Sequence, residues 1–196
     1  MEHRVQRIIL ITGPKHAGKS AAGQALADCM GGEFADLDVL VEKAAGKTPR
    51  ALFREGPGIF RKAEARALAS AIARIKSPQI KGRPLVIAAG GGLIDNPEAM
   101  ELLYKRPEIT AVYLEVSPET AWKRILDTAV QGELPPFLNT ENPQAAHFEL
   151  HTRRAAAYRA AARIIIDGEN KNPQAIADEI AACLSGEADV AENALY

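Results

Sequence analysis

Residues 7–32 read Arg7-Ile8-Ile9-Leu10-Ile11-Thr12, then Gly13-Pro14-Lys15-His16-Ala17-Gly18-Lys19-Ser20, then Ala21-Ala22-Gly23-Gln24-Ala25-Leu26-Ala27-Asp28-Cys29-Met30-Gly31-Gly32. The first run is short, apolar and β-branched, the signature of a buried strand. The third is rich in Ala, Leu and Gln and closes on two glycines, which gives a helix from Ala21 to Met30 with a C-terminal stop. Between them the octet satisfies G-x-x-x-x-G-K-[ST]. A glycine loop in this setting turns successive backbone N–H groups toward one point and places the positive end of a helix dipole behind it. Such a cradle takes an anion. Gly13, Lys15, Ala17, Gly18, Lys19, Ser20 and Ala21 are the candidate phosphate-loop residues. Lys19 is placed to reach the β- and γ-phosphates, and the Ser20 hydroxyl to hold Mg²⁺. The pattern implies a bound nucleoside triphosphate.

A chain of 196 residues fits one domain with a full core. Its 47% hydrophobic and 25% charged residues are those of an ordinary soluble globule. A formal net charge of −1 gives no electrostatic reason for nucleic acid or an anionic membrane as partner. No stretch approaches the ~20 apolar residues of a membrane span. The run Ile8–Ile11 is too short for a secretory leader and ends in the glycine loop. Cys29 and Cys183 lie far apart without metal spacing, which fits a reducing cytoplasm. The segment from Gly186 to Tyr196 is acidic and rich in small residues, a flexible tail by composition.

Beyond the loop, strand and helix patterns alternate. Glu33–Leu37 reads as a second strand, followed by helical periodicity from Val39 to Ala45 and a long amphipathic helix from Ile59 to Lys76. Pro84–Ala89 is a third strand running into Gly90-Gly91-Gly92, and Asn96-Pro97-Glu98 starts a helix. Ile109–Glu115 is a fourth strand. Ser117-Pro118-Glu119 opens a helix to about Leu126, followed by a Pro- and Asn-rich loop from Thr128 to Pro143. A helix over Ala145–Ala162, a strand over Arg163–Ile166 and a helix from Pro173 to Leu184 complete the pattern. Five buried strands interleaved with helices predict an α/β fold, a five-stranded parallel sheet covered on both faces. Neither a repeat nor a linker divides the chain.

Three further features fall at the carboxyl ends of predicted strands, where ligands bind in such sheets. They are Asp36 with Asp38, the triplet Gly90-Gly91-Gly92, and Arg61 with Glu64 one helical turn on. In combination they resemble the shikimate kinases of the nucleoside-monophosphate-kinase-like P-loop group. The resemblance runs from about Ile8 to Leu184. Besides the loop it rests on Phe34-Ala35-Asp36-Leu37-Asp38, Val41-Glu42 with Gly46, Phe60-Arg61-Lys62-Ala63-Glu64, the glycine triplet, and Arg153-Arg154 before Tyr158. It implies an ATP-dependent kinase in one domain, with a substrate-binding region over 36–64 and a lid over 128–144. By the same resemblance Asp38 binds the substrate hydroxyls and helps deprotonate the attacking one, and Asp36 holds Mg²⁺. Arg61 and Arg154 grip the substrate carboxylate, a task suited to a guanidinium fork. Gly91 and Gly92 offer backbone N–H groups to the substrate. Arg124 packs on adenine, and Asn172-Pro173 forms the adenine-side turn.

The lid departs from the family pattern. Where the family carries an arginine followed by proline and two leucine-like residues, this chain reads Leu134-Pro135-Pro136-Phe137-Leu138. Residues 125–152 contain no Lys or Arg, while Asp127, Glu133, Glu141 and Glu149 fall among them, with His147 and His151 as potential cations. Phosphoryl transfer depends on positioning and on positive charge at the transferring oxygens, and losing one such group costs ~10²–10³-fold in rate. Two explanations are open: Lys15 or His16 replaces the charge, or the lid is remodelled for another substrate or for no catalysis. His16 stands where the family has glycine, Pro57 replaces an acidic residue after Gly56, and Ala156 replaces a proline between Arg154 and Tyr158. The expectation is a cytoplasmic monomer that phosphorylates a hydroxyl of a small acidic substrate, with shikimate first. The alternatives are a related hydroxy-acid or polyol kinase and a weakly active nucleotide-binding regulator.

Overall fold

The computed structural model describes residues 7–78, 82–128 and 134–193, with side chains described through 186. The strands are β1 (Ile8–Thr12), β2 (Glu33–Asp36), β3 (Leu85–Ala88), β4 (Ile109–Glu115) and β5 (Ile164–Asp167). The helices are α1 (Lys19–Met30), α2 (Leu37–Ala45), α3 (Pro49–Glu55), α4 (Pro57–Ala73), α5 (Pro97–Tyr104), α6 (Pro118–Thr128), α7 (Pro143–Ala161) and α8 (Pro173–Asn193). All strand pairs are parallel and the order is β2-β3-β1-β4-β5. β1 is central, with Ile8 in register with Leu85 on one side and Ile109 on the other.

Alternation along β1 builds both halves of the core. Ile8 and Leu10 pack with Leu37, Val41, Leu68 and Ile72 on one face, and Ile9 and Ile11 with Leu26, Val112, Ile176 and Ile180 on the other. Each such fully buried side chain contributes about 1.5–3 kcal/mol relative to exposure. α1 lies close on the sheet through Gly23, where a Cβ would stand 2.7 Å from the Phe34 ring.

Six helices begin on a proline, at Pro49, Pro57, Pro97, Pro118, Pro143 and Pro173. The missing N–H is no loss in a first turn, and the fixed φ is already helical. Thr48, Asn96 and Asn142 cap α3, α5 and α7 by accepting from backbone N–H groups three residues on. α3 falls in a stretch for which the hydrophobic period assigns no element. α8, expected to end at Leu184, runs to Asn193. Residues 129–133 of the expected lid and 194–196 of the expected tail lie outside the described residues.

Candidate active site

The loop from Gly13 to Gly18 leaves the carboxyl end of β1 and delivers Lys19 at the start of α1. Gly13 has φ +140°, and a Cβ there would meet the Leu114 carbonyl oxygen at 2.5 Å, so only glycine passes between loop and β4. Lys19 is 8% exposed, and its Nζ donates to the Pro14 carbonyl at 2.6 Å. Burial lowers its pKa to about 8, with Asp38 and Asp36 opposing and Lys15 and Arg154 adding to the shift. An ammonium folded back onto its own loop is one that a phosphate can draw away.

Asp36 ends β2 and caps α2. Its Oδ1 accepts from the Asp38 and Val39 N–H groups, and its Oδ2 accepts from the Ser20 hydroxyl at 2.6 Å. The loop hydroxyl and a carboxylate oxygen thus converge, a pair of hard donors that fits Mg²⁺. Among the described residues no cluster of three or more His, Cys, Asp or Glu is arranged to hold a metal. The fit is therefore to a cation that shares its remaining sites with phosphate oxygens and water.

Asp38, in the first turn of α2, turns into a cavity of about 470 Å³. Burial and then Asp36 raise its carboxyl above the ordinary range, with Lys19 and Lys15 acting against the rise. Gly91 and Arg154 share that cavity, as do Lys15 and His16 from the loop. Phe53, Phe60, Pro135, Pro136 and Phe137 supply its apolar walls, and Arg50 lines it from α3. A Cβ on Gly91 would lie 2.9 Å from the Lys15 backbone nitrogen, so glycine lets the triplet and the phosphate loop touch. Tyr158 of α7 donates its hydroxyl to the Gly91 carbonyl and stacks on Tyr113 of β4, ring centroids 5.1 Å apart.

Arg154 is held from behind. Its Nε donates to Asp95 Oδ2 at 2.8 Å, and Arg153 makes a bidentate pair with both Asp95 oxygens at 2.8 and 2.9 Å. The Arg153 bonds, followed by Arg154, hold the Asp95 carboxyl down at about 2. Glu64 is fully buried on α4. Its Oε2 accepts from Asn96 Nδ2 at 2.9 Å, and burial pushes its pKa up to about 7. A Cβ on Gly90 would stand 3.0 Å from Asp38 Oδ1 and 3.2 Å from Glu64 Oε1, so both carboxyls lie over the triplet.

Several sequence-selected residues sit elsewhere. The Arg61 side chain is exposed and is not among the cavity-lining residues, although its charge reaches Glu64. Gly92 lies near Arg154, with a Cβ position 3.6 Å from Nη2. Arg124 bonds the His16 and Ala17 carbonyls at 3.3 Å each and so braces the phosphate loop. Pro173 opens α8, capped by Asn172 Oδ1 on the Ala175 N–H at 2.8 Å. His16 is in the left-handed region at φ 61°. Burial, then Lys15, Lys19 and Arg124, lower its pKa to about 4. It is neutral at pH 7 and so does not replace the missing cation. Sequence reasoning missed Arg50, Asp95 and the clamp from Tyr158 to Gly91. Asp95, three residues past the triplet, is the one that its position could have flagged.

A phosphate loop on the central strand, a carboxyl pair beside it and a walled cavity ending in a buttressed arginine define a P-loop phosphotransferase for a small alcohol. The sequence profile of shikimate kinases matches residues 15–185. A shikimate kinase of Marinomonas sp. is 30% identical over 173 residues, 88% of each chain. The structure of an Acinetobacter baumannii shikimate kinase in complex with shikimate superposes with a TM-score of 0.79 at 28% identity, covering 93% of this chain and 94% of that one. For the Aquifex aeolicus shikimate kinase the TM-score is 0.70 at 27% identity, covering 92% and 98%. The chain belongs to the shikimate kinase family.

Proposed function

We propose that this chain transfers the γ-phosphoryl group of ATP to a hydroxyl of shikimate, giving shikimate 3-phosphate and ADP. One observation carries the reading: a hydroxyl-accepting carboxylate, Asp38, and a carboxylate-gripping guanidinium, Arg154, face one small cavity beside Lys19. The relative that carries shikimate in its structure supports the choice of acceptor.

Arg154, steadied by Asp95, takes the substrate carboxylate. The Gly91 and Gly92 N–H groups orient the ring. Asp38 receives the proton of the attacking hydroxyl as its oxygen bonds to the γ-phosphorus and the bond to the ADP oxygen breaks. A carboxyl raised by burial and by Asp36, with Lys19 and Lys15 acting against the rise, suits that transfer. Lys19 follows the β- and γ-phosphates. Ser20 and Asp36 would hold Mg²⁺, which when bound neutralises charge on the phosphate oxygens. Arg124 and Pro173 serve the adenine side. The working unit is one domain acting as a monomer in a reducing cytoplasm, with no nucleic-acid partner. Among the described residues no helix is long and apolar enough to cross a membrane.

The test is ADP release with ATP, Mg²⁺ and shikimate, with Lys19→Ala as the blank. The expected result is shikimate-dependent turnover that Lys19→Ala abolishes without loss of fold. Turnover with another hydroxy acid but not shikimate would move the acceptor. ATP binding without turnover on any such acid would leave a nucleotide-binding regulator.

A further inference from the structure

Two arginines meet one carboxylate behind the cavity. Asp95 ends the short turn Leu93–Asp95 that follows the glycine triplet, and its N–H donates to the Gly92 carbonyl at 3.0 Å. Its side chain is 15% exposed, so most of its partners must come from the protein. Arg154 Nε donates to Asp95 Oδ2 at 2.8 Å, and Nη2 lies 2.7 Å from the same oxygen. That commits one edge of the guanidinium and leaves the Nη1 end for the cavity that Arg154 lines. A carboxylate in this position has two opposed effects. It fixes the guanidinium plane, and it cancels the charge that a second, incoming carboxylate needs. Arg153 resolves the conflict. Its Nη1 and Nη2 take Asp95 Oδ1 and Oδ2 at 2.8 and 2.9 Å, a bidentate fork laid on from the solvent side. Asp95 is thus neutralised from behind, and the Arg154 charge stays available in front. Two further carboxyls face the group. Glu64 acts on Arg154, but burial pushes its pKa up to about 7 and leaves it mostly protonated at about pH 6. Glu149, exposed one turn back along α7, acts on Arg153 less than Asp95 does.

We propose that Arg153 is a positioning residue for an acidic acceptor: by neutralising Asp95 it lets Asp95 orient Arg154 without cancelling the charge that draws the acceptor carboxylate. The proposal rests on the reading above that Arg154 takes that carboxylate. Arg153 touches no substrate and acts through Asp95, so its influence is confined to acceptors that carry a negative charge. Its side chain is 58% exposed, and water and salt screen the fork. The effect is therefore several-fold rather than orders of magnitude.

The experiment compares wild type with Arg153→Ala, Arg153→Lys, Asp95→Asn and the double variant Arg153→Ala/Asp95→Asn at about pH 6 and low salt, each checked for unchanged thermal unfolding. The readouts are steady-state turnover with shikimate and with its neutral carboxamide, and calorimetric binding of cyclohexenecarboxylate. Arg153→Ala should raise KM for shikimate roughly fivefold, with kcat, KM for ATP and KM for the carboxamide unchanged. Most of that rise should vanish in about 0.5 M salt. Arg153→Lys should recover part of it, since an ammonium keeps the charge and loses the fork. Asp95→Asn raises KM for shikimate in the wild-type background, through loss of orientation. In the Arg153→Ala background it should lower KM, because it removes the charge that Arg153 no longer balances. Defects that simply add in the double variant would overturn the proposal, as would an equal rise in KM for the carboxamide. An Arg153→Ala enzyme with wild-type KM for shikimate would also overturn it and leave the acceptor in place. A wild type inactive on shikimate, whose affinity for cyclohexenecarboxylate falls in Arg153→Ala and returns in the double variant, would sink the choice of acceptor and leave the role of Arg153 standing.

Discussion

Lys19 illustrates how a single residue couples burial to chemistry. Its ammonium is nearly enclosed and titrates near 8 instead of 10.5. Phosphate binding needs the charged form, so affinity for ATP falls as pH rises through about 8. The dissociation constant should rise about thirtyfold between pH 7 and 9.5, while Lys19→Arg, whose group stays protonated, should show a flat profile. A wild-type constant that does not move over this range would show that Lys19 is not the phosphate cation. The Asp95 contact makes a second prediction. Arg154→Ala should raise KM for shikimate far more than KM for ATP. Asp95→Asn, which frees the guanidinium to swing, should do the same to a smaller extent. Equal effects on both substrates would remove Arg154 from the carboxylate. Lys19, Ser20, Asp36 and Asp38 were legible in the sequence because their spacing is local to one loop and one strand end. Arg50 and Asp95 were not, since each gains its meaning from a partner dozens of residues away, Leu134 and Arg154.

At the scale of elements, α3 is the weak and informative one. It has seven residues and buries only Leu52, so its cap matters. Thr48 Oγ1 accepts the Ala51 N–H at 3.2 Å. Thr48→Ala should cost about 1 kcal/mol in urea unfolding. A variant of wild-type stability would mean that Pro49 and the packing on α4 hold the helix unaided. Strands β1, β3 and β4 were readable because burial on both faces demands unbroken apolar runs, and β4 matches its expected bounds, Ile109–Glu115. Helix starts were readable at Asn96-Pro97, Ser117-Pro118 and Pro173, whereas α7 was expected from Ala145 and begins at Pro143. α3 escaped because its period is too short to register, although Thr48-Pro49 is itself a start signal. Prolonged helicity past Leu184 escaped because an acidic, small-residue run has a weak apolar period.

For the molecule as a whole, one buried carboxyl ties stability to pH. Glu64 has an ordinary pKa of 4.5 when unfolded and about 7 when folded. Between those values the native state binds more protons than the unfolded one, so stability falls as pH rises and the loss is complete above about 7. Glu64→Gln keeps the shape, offers Asn96 the same acceptor and removes the titration. It should flatten the decline between pH 5 and 8, a difference on the order of 2 kcal/mol read from urea midpoints. Parallel pH profiles for the two proteins would show that Glu64 ionises at no cost. The sequence by itself determined the five-stranded parallel sheet, the phosphate loop and the carboxyls at its edge, because hydrophobic period and glycine spacing act over a few residues. Only the tertiary structure decided which cations share the cavity. It set Arg50 against the lid backbone, left the Arg61 side chain exposed and held His16 neutral. Those outcomes depend on burial and on charges brought together by chain crossovers, and neither is encoded in any one stretch of sequence.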